Sequence, residues 1–193
     1  MPIVKAGTAE LRRVLADARV VPAVRRHNHV SRALASRPPF VILLTPSLET
    51  LPEIAVHASE LGVRLLIHAD MIEGIASDAV GLRFLARLGV TGIATTRAHT
   101  MGLARQAGLM VTFRAFLIDS GALATVEHIV QKNRPDIVEL LPAPILAHLP
   151  PGYIDTLGVP ALGGGLIQTQ ADVEATLAAG ATAVSTSTES LWP

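Results

Sequence analysis

The chain has 193 residues, 50% hydrophobic and only 17% charged, with basic and acidic side chains balanced at 16 each. Charged residues normally make up about a quarter of a domain, so a disordered chain is excluded and one substantial core is expected. There is no cysteine, which removes disulfides, thiolate zinc sites and a cysteine nucleophile.

The first residues, MPIVKAGTAELRRVL, hold no apolar stretch of signal-peptide length. Apolar runs such as Phe40–Leu44 are far shorter than the ~20 residues that cross a bilayer. A soluble, cytoplasmic chain with no membrane partner is therefore expected. Charge is unevenly placed. Residues 1–40 carry eight basic residues, among them Arg12, Arg13, Arg26, Arg32 and Arg37, against Glu10 and Asp17, a net of +6; the remainder carries −6. Such a cluster fits a polyanion partner, and it equally fits a solvated helix face or an intersubunit ion-pair surface.

After a helical lead-in over residues 1–19, short apolar runs recur: Val20–Val24, Phe40–Leu44, Leu65–His68, Gly92–Thr95, Met110–Phe116, Ile137–Leu141, Pro160–Gly163 and Thr182–Ser185. A longer, helix-prone segment follows each, in units of roughly 20 to 27 residues. Hydrophobicity that is continuous rather than alternating suits parallel strands covered on both faces. The segments carry helix signals. Ser47–Gly62 opens on a capping residue, with Pro52 pushing the start later. Thr169 and Asp172 have capping-box spacing, and Asp119-Ser120 precedes a helical stretch. Eight units without a linker predict one domain over 1–193, a compact (β/α)₈ TIM-like barrel over residues 20–193. A doubly wound open sheet shares the alternation but needs a switch point that the spacing does not show. The barrel is short of the ~250 residues usual for the fold, so some helices must be brief, above all in LPAPILAHLPPGY after the sixth strand.

In a barrel the ligand site lies at the C-terminal strand ends. That rule selects Arg25, His68, Asp70, Arg97, Arg114, Asp119 and Glu139, then Gly163–Gly165 after strand 7 and Ser185–Thr188 after strand 8. The last two loops form the strongest signal. Glycine amides and an STST segment opening the short helix TESLW can hold a phosphate or other anion. The glycines match neither the Walker pattern nor the dinucleotide fingerprint. His68 and Asp70, sharing a face by strand alternation, suggest an acid/base pair or part of a metal site. No third ligand is evident, so no metal and no cofactor are expected. Glu139 reads as a base or as an acceptor for a hydroxylated ligand. Arg97 and Arg114 suit a small anion or pair with rim carboxylates.

These residues lie in stretches that resemble the glycerol-3-phosphate-responsive antiterminator family: VPAVR (21–25), HADMIEG (68–74), GIATTR (92–97), FRAFLIDSGAL (113–123), RPDIVELLP (134–142), LGGGLIQTQADV (162–173) and AGATAVSTSTESLW (179–192). The resemblance implies a non-catalytic barrel that senses glycerol 3-phosphate and binds the leader mRNA of a glycerol-utilisation operon, with a homo-oligomer left open. Carried over by position, it places Gly164, Gly165, Thr186 and Ser187 on the phosphate. Arg25, His68, Asp70, Arg97, Arg114 and Glu139 then line the rest of the pocket. For RNA, the residues offer the N-terminal arginines and few stacking aromatics, at 3% of the chain. The alternative from the residues alone is an isomerase- or aldolase-type enzyme on a small phosphorylated metabolite. Against it, the chain's lysines, Lys5 and Lys132, stand at no strand end.

Overall fold

All eight apolar runs become parallel strands in the computed structural model, which describes residues 7–193: β1 (Val20–Val24), β2 (Phe40–Leu43), β3 (Arg64–His68), β4 (Gly92–Thr95), β5 (Met110–Phe116), β6 (Ile137–Leu141), β7 (Ala161–Gly164) and β8 (Ala183–Thr186). Each pairs with its neighbours in sequence, and β1 also pairs with β8, so the sheet closes into a barrel. The open-sheet alternative is thereby excluded. Several expected bounds move by one residue, and two of these shifts bear on the site. Strand β7 runs to Gly164 and β8 to Thr186, so the second of the three glycines is a ladder member opposite Ser185 rather than a loop residue.

The continuous hydrophobicity has a direct cause, because each strand is buried on both faces. Outward residues such as Val41, Ile67, Ile93, Val111, Val138 and Val184 pack beneath the helices. Inward residues, including Val21, Phe40, Ile42, Leu66, Met110, Ile137, Leu162 and Ala183, fill the lower barrel. Helix α1 (Thr8–Ala18) inserts Leu11 and Leu15 into that inner cluster. It therefore closes the N-terminal end of the barrel. The expected lead-in over 1–19 thus contains α1, while residues 1–6 lie outside the described residues.

Helix starts follow the capping chemistry. In α4 (Ala79–Arg87) the Asp78 side chain accepts from two first-turn amides. In α6 (Ser120–Asn133) Asp119 does the same for Ala122, so Asp119 belongs to the helix rather than to a ligand. Helix α8 (Gln170–Ala178) carries the full Thr169/Asp172 box. Helix α3 (Leu51–Glu60) begins four residues after Ser47, with Pro52 in its first turn where its missing amide costs nothing. The chain closes a barrel at this length because several units are abbreviated. Helix α2 (Val30–Ala35) has six residues, α7 (Tyr153–Thr156) has four, and the proline-rich stretch before α7 forms a 3₁₀ segment, Ala143–His148. Helix α5 (Ala98–Gln106) completes the ring. The expected final helix TESLW is a single 3₁₀ turn, Glu189–Leu191, too brief to supply a helix-terminus field.

Leu15 is fully buried at the barrel floor. Leu15→Ala should lower the unfolding free energy by about 2–5 kcal/mol, measured by urea denaturation.

Candidate ligand site at the barrel mouth

Above the apolar floor the barrel interior turns polar. Glu139 points inward from β6 and is 2% exposed. Its Oε2 accepts from Arg114 Nε of β5 at 2.5 Å, and its Oε1 accepts from Ser185 Oγ of β8 at 2.5 Å. Arg114 and Glu139 are register partners on adjacent strands, so the ladder itself sets this ion pair. A buried carboxylate without such partners would be strongly disfavoured. Gly164 makes room for the group. A Cβ there would lie 2.6 Å from Glu139 Oε1 and 2.7 Å from Ser185 Oγ. The glycine is thus required by the carboxylate beside it.

Over this cluster lies a cavity of about 170 Å³, lined by Arg25, Arg114, Glu139, Gly165, Leu166, Gln168 and the Ser185–Thr188 segment. Gly165 has φ +75° and Leu166 φ +60°, so the β7 loop turns through the left-handed region. A β-branched side chain at Gly165 would be strained whatever a ligand does. Loop 8 is tied to loop 7 along the cavity wall. Both Thr186 Oγ1 and Thr188 Oγ1 donate to the Ile167 carbonyl at 2.9 Å, and the Trp192 indole donates to the Thr186 carbonyl at 2.8 Å. The Thr186 hydroxyl is therefore committed to the scaffold. Among the described residues, the amides of Gly165, Leu166 and Ser187 donate to no protein acceptor. Arg25 reaches across to Ser187 Oγ at 3.4 Å.

The other candidate residues stand apart from the cavity lining. Strand β3 ends at His68, and Asp70 lies on the following 3₁₀ turn, so strand alternation does not put the two on one face. Asp70 turns toward the β4 loop. It accepts from Thr95 Oγ1 at 2.8 Å, the Thr96 amide at 2.7 Å and Thr96 Oγ1 at 2.9 Å, with Arg97 Nε at 3.8 Å. Burial, the largest influence, raises the Asp70 pKa, but the hydrogen bonds from Thr96 and Thr95 together carry it below the usual value. His68 is 6% exposed, and neither ring nitrogen has a hydrogen-bond partner among the described residues. Burial and the nearby Arg114 charge lower its pKa, against smaller opposing effects of Asp70 and Glu139. Both larger effects favour the neutral imidazole. The Thr112 hydroxyl is likewise buried and unpaired, level with His68 across Ala94 in the ladders. Among the described residues no three His, Asp or Glu side chains converge as metal ligands.

The sequence reading selected the Ser185–Thr188 segment but not the bond of the Ser185 hydroxyl to Glu139, and it missed Leu166 and Gln168 of the cavity wall. Period-two alternation from the inward Ala183 marks Ser185 as inward; nothing local marks the other two. Nor do the five N-terminal arginines gather at one place. Arg12 and Arg13 ride on α1 at the closed end and Arg37 precedes β2 at that end, whereas Arg26 follows β1 at the mouth and Arg32 sits on α2.

The sequence profile of the glycerol-3-phosphate responsive antiterminators matches residues 20–192. The chain belongs to that family. Among solved structures, it is similar to the glycerol uptake operon antiterminator regulatory protein of Listeria monocytogenes str. 4b F2365. The two are 28% identical with a TM-score of 0.81, covering 100% of this chain and 97% of the other. A glycerol uptake operon antiterminator-related protein of Thermotoga maritima MSB8 superposes with a TM-score of 0.78 at 21% identity, over 90% and 96% of the chains. In Escherichia coli (strain K12) the protein YgcP is 27% identical over 175 residues, 90% of this chain and 91% of that one. The barrel of this antiterminator-family member is shared more widely. Deoxyribose phosphate aldolase of Aeropyrum pernix matches with a TM-score of 0.68 at 16% identity, over 96% of each chain, a likeness of fold alone.

Gly164→Ala should cost about 1–3 kcal/mol by overpacking against Glu139, read as a lower denaturation midpoint. His68 binds a proton more readily unfolded than folded, so stability should fall as pH drops below about 6.5. Urea midpoints between pH 7 and 5 should show the decline, and His68→Leu should flatten it.

Proposed function

We propose that this protein is a metabolite-responsive transcription antiterminator. It holds glycerol 3-phosphate in the mouth cavity, acts on the leader mRNA of a glycerol-utilisation operon, and catalyses no reaction. The observation that carries the ligand half is the cavity itself, lined by Arg25, Arg114 and three residues, Gly165, Leu166 and Ser187, whose amides have no protein acceptor among the described residues. Unpaired amides and arginines are what a phosphate group requires. Beside them, the Glu139 oxygens and Ser185 keep acceptor capacity for the hydroxyls of a small polyol. At about 170 Å³ the space falls below the ~300–1,000 Å³ of sites for drug-sized ligands, which suits a three-carbon phosphate ester and not a nucleotide.

Two features speak against turnover. Glu139, the carboxylate best placed to act as a base, is held at both oxygens by Arg114 and Ser185. Among the described residues Lys132 is the sole lysine, and it sits on the exposed surface of α6, away from any carbonyl bound at the mouth.

Glycerol 3-phosphate at about 100 times its dissociation constant should stabilise the fold by about 2.7 kcal/mol. That raises the melting temperature by roughly 5–10 °C for a chain of this size, and glycerol or inorganic phosphate alone should give less. Ser187→Glu, which puts a carboxylate into the cavity, should erase the shift without lowering the ligand-free melting temperature. No shift with wild-type protein would end the sensing claim.

A further inference from the structure

We infer that the RNA-binding surface of this protein is the closed, N-terminal face of the barrel, opposite the ligand cavity; the inference rests on the antiterminator reading above. Folding collects basic residues on that face from positions far apart in sequence. Arg37 precedes β2 and Arg64 opens β3. Arg87 ends α4, Arg105 lies in the last turn of α5, and Lys132 and Arg134 close α6. They come from five consecutive helix-to-strand junctions, α2–β2 through α6–β6. Helix α1, laid across the same opening, adds Arg12 and Arg13. Arg13, Arg37, Arg87, Arg105, Lys132 and Arg134 are all exposed. Among the described residues, Arg13, Arg37, Arg87, Lys132 and Arg134 pair with no carboxylate. The acids of this face are fewer: Glu10, Asp17, Glu60, Asp136 and Asp155. Asp136 is itself engaged by the Val111 amide at 2.7 Å.

The mouth has the opposite character. Arg25, Arg26 and Arg97 stand there among Glu49, Glu73, Asp78, Asp119, Asp172 and Glu189, a setting that repels a phosphate backbone. Part of this polarity reflects helix direction, since every barrel helix starts at the mouth and ends at the far face. Cations favour helix C-termini, and Arg105 does donate to the Asn133 and Arg134 carbonyls that α6 leaves open. Helix direction does not account for Arg12 and Arg13, which stand mid-helix in α1, or for Arg37 and Arg64, which lie outside helices. Their placement with the others is the charge complementarity that a polyphosphate chain recognises. A cleft of about 400 Å³ between Thr8 of α1 and the Arg134–Asp136 turn opens on the same face, with Arg134 as the basic residue of its lining.

The test uses the full chain with saturating glycerol 3-phosphate and a fluorescently labelled leader RNA of a glycerol-uptake operon, read by anisotropy over about 50–200 mM salt. Replacing Arg87 and Lys132 together by glutamine should weaken binding about tenfold or more. It should also reduce the slope of log affinity against log salt by about 1–2, close to one per lost phosphate contact. A second pair on the same face, Arg13→Gln with Arg37→Gln, should do likewise. It guards against a folding defect in the first, and an undiminished melting shift with glycerol 3-phosphate certifies each variant. Arg26→Glu with Arg32→Glu should leave affinity and slope within about twofold of wild type. If the two face variants bind as wild type does, or if the Arg26/Arg32 variant carries the loss, the surface is wrong while the antiterminator reading stands. If the unaltered chain binds no RNA at the lowest salt, that reading fails and takes the surface with it.

Discussion

A carboxylate buried inside a barrel has to be neutralised where it stands, and Glu139 organises the mouth for that reason. Strand register brings Arg114 alongside it, and Ser185 reaches it from two strands away. Gly164 keeps the intervening strand free of a side chain that would collide with both Glu139 and Ser185. The charge network then fixes the floor of the cavity, and the threonine bonds to the Ile167 carbonyl fix its wall. The loops after β7 and β8 are thereby held in one relation, leaving amides turned to other uses. The candidate site is built from pairings whose geometry the backbone ladder enforces.

The two ends of the barrel are chemically different. The closed end is plugged by Leu11 and Leu15 and carries exposed arginines; the open end carries polar loops, capping aspartates and a small cavity. Helices running one way round a parallel barrel sort charge by end, with Asp78, Asp119 and Asp172 at helix starts and cations at helix finishes. On the proposed reading, this arrangement keeps the acids that cap helices around the cavity away from an RNA backbone bound at the closed end.

Much of the fold was legible in the chain because its determinants are local. Runs such as VVPAV and FVIL, apolar throughout, mark strands covered on both faces, and Thr169 with Asp172 marks a helix start by capping-box spacing. The site was legible only in outline. Strand-end position was enough to nominate Arg25, Arg114, Glu139, Gly165 and Ser187, which line one cavity. It also nominated His68, Asp70 and Arg97, which do not, because the 3₁₀ turn after β3 swings Asp70 onto Thr95 and Thr96. Spacing along a strand cannot anticipate where a turn interrupts it.

By itself, the sequence determined the barrel, its order of elements, and the family motifs, since periodicity, capping and composition act over a few neighbouring residues. Tertiary structure alone decided that Gly164 serves Glu139, that the Thr186 hydroxyl is spent on the scaffold, and that the basic side chains of five helix-to-strand junctions share the closed face. Each of these depends on which strand or helix end lies beside which. That is set by closure of the eight-stranded ladder and by the common direction of the helices around it, not by any residue's immediate neighbours.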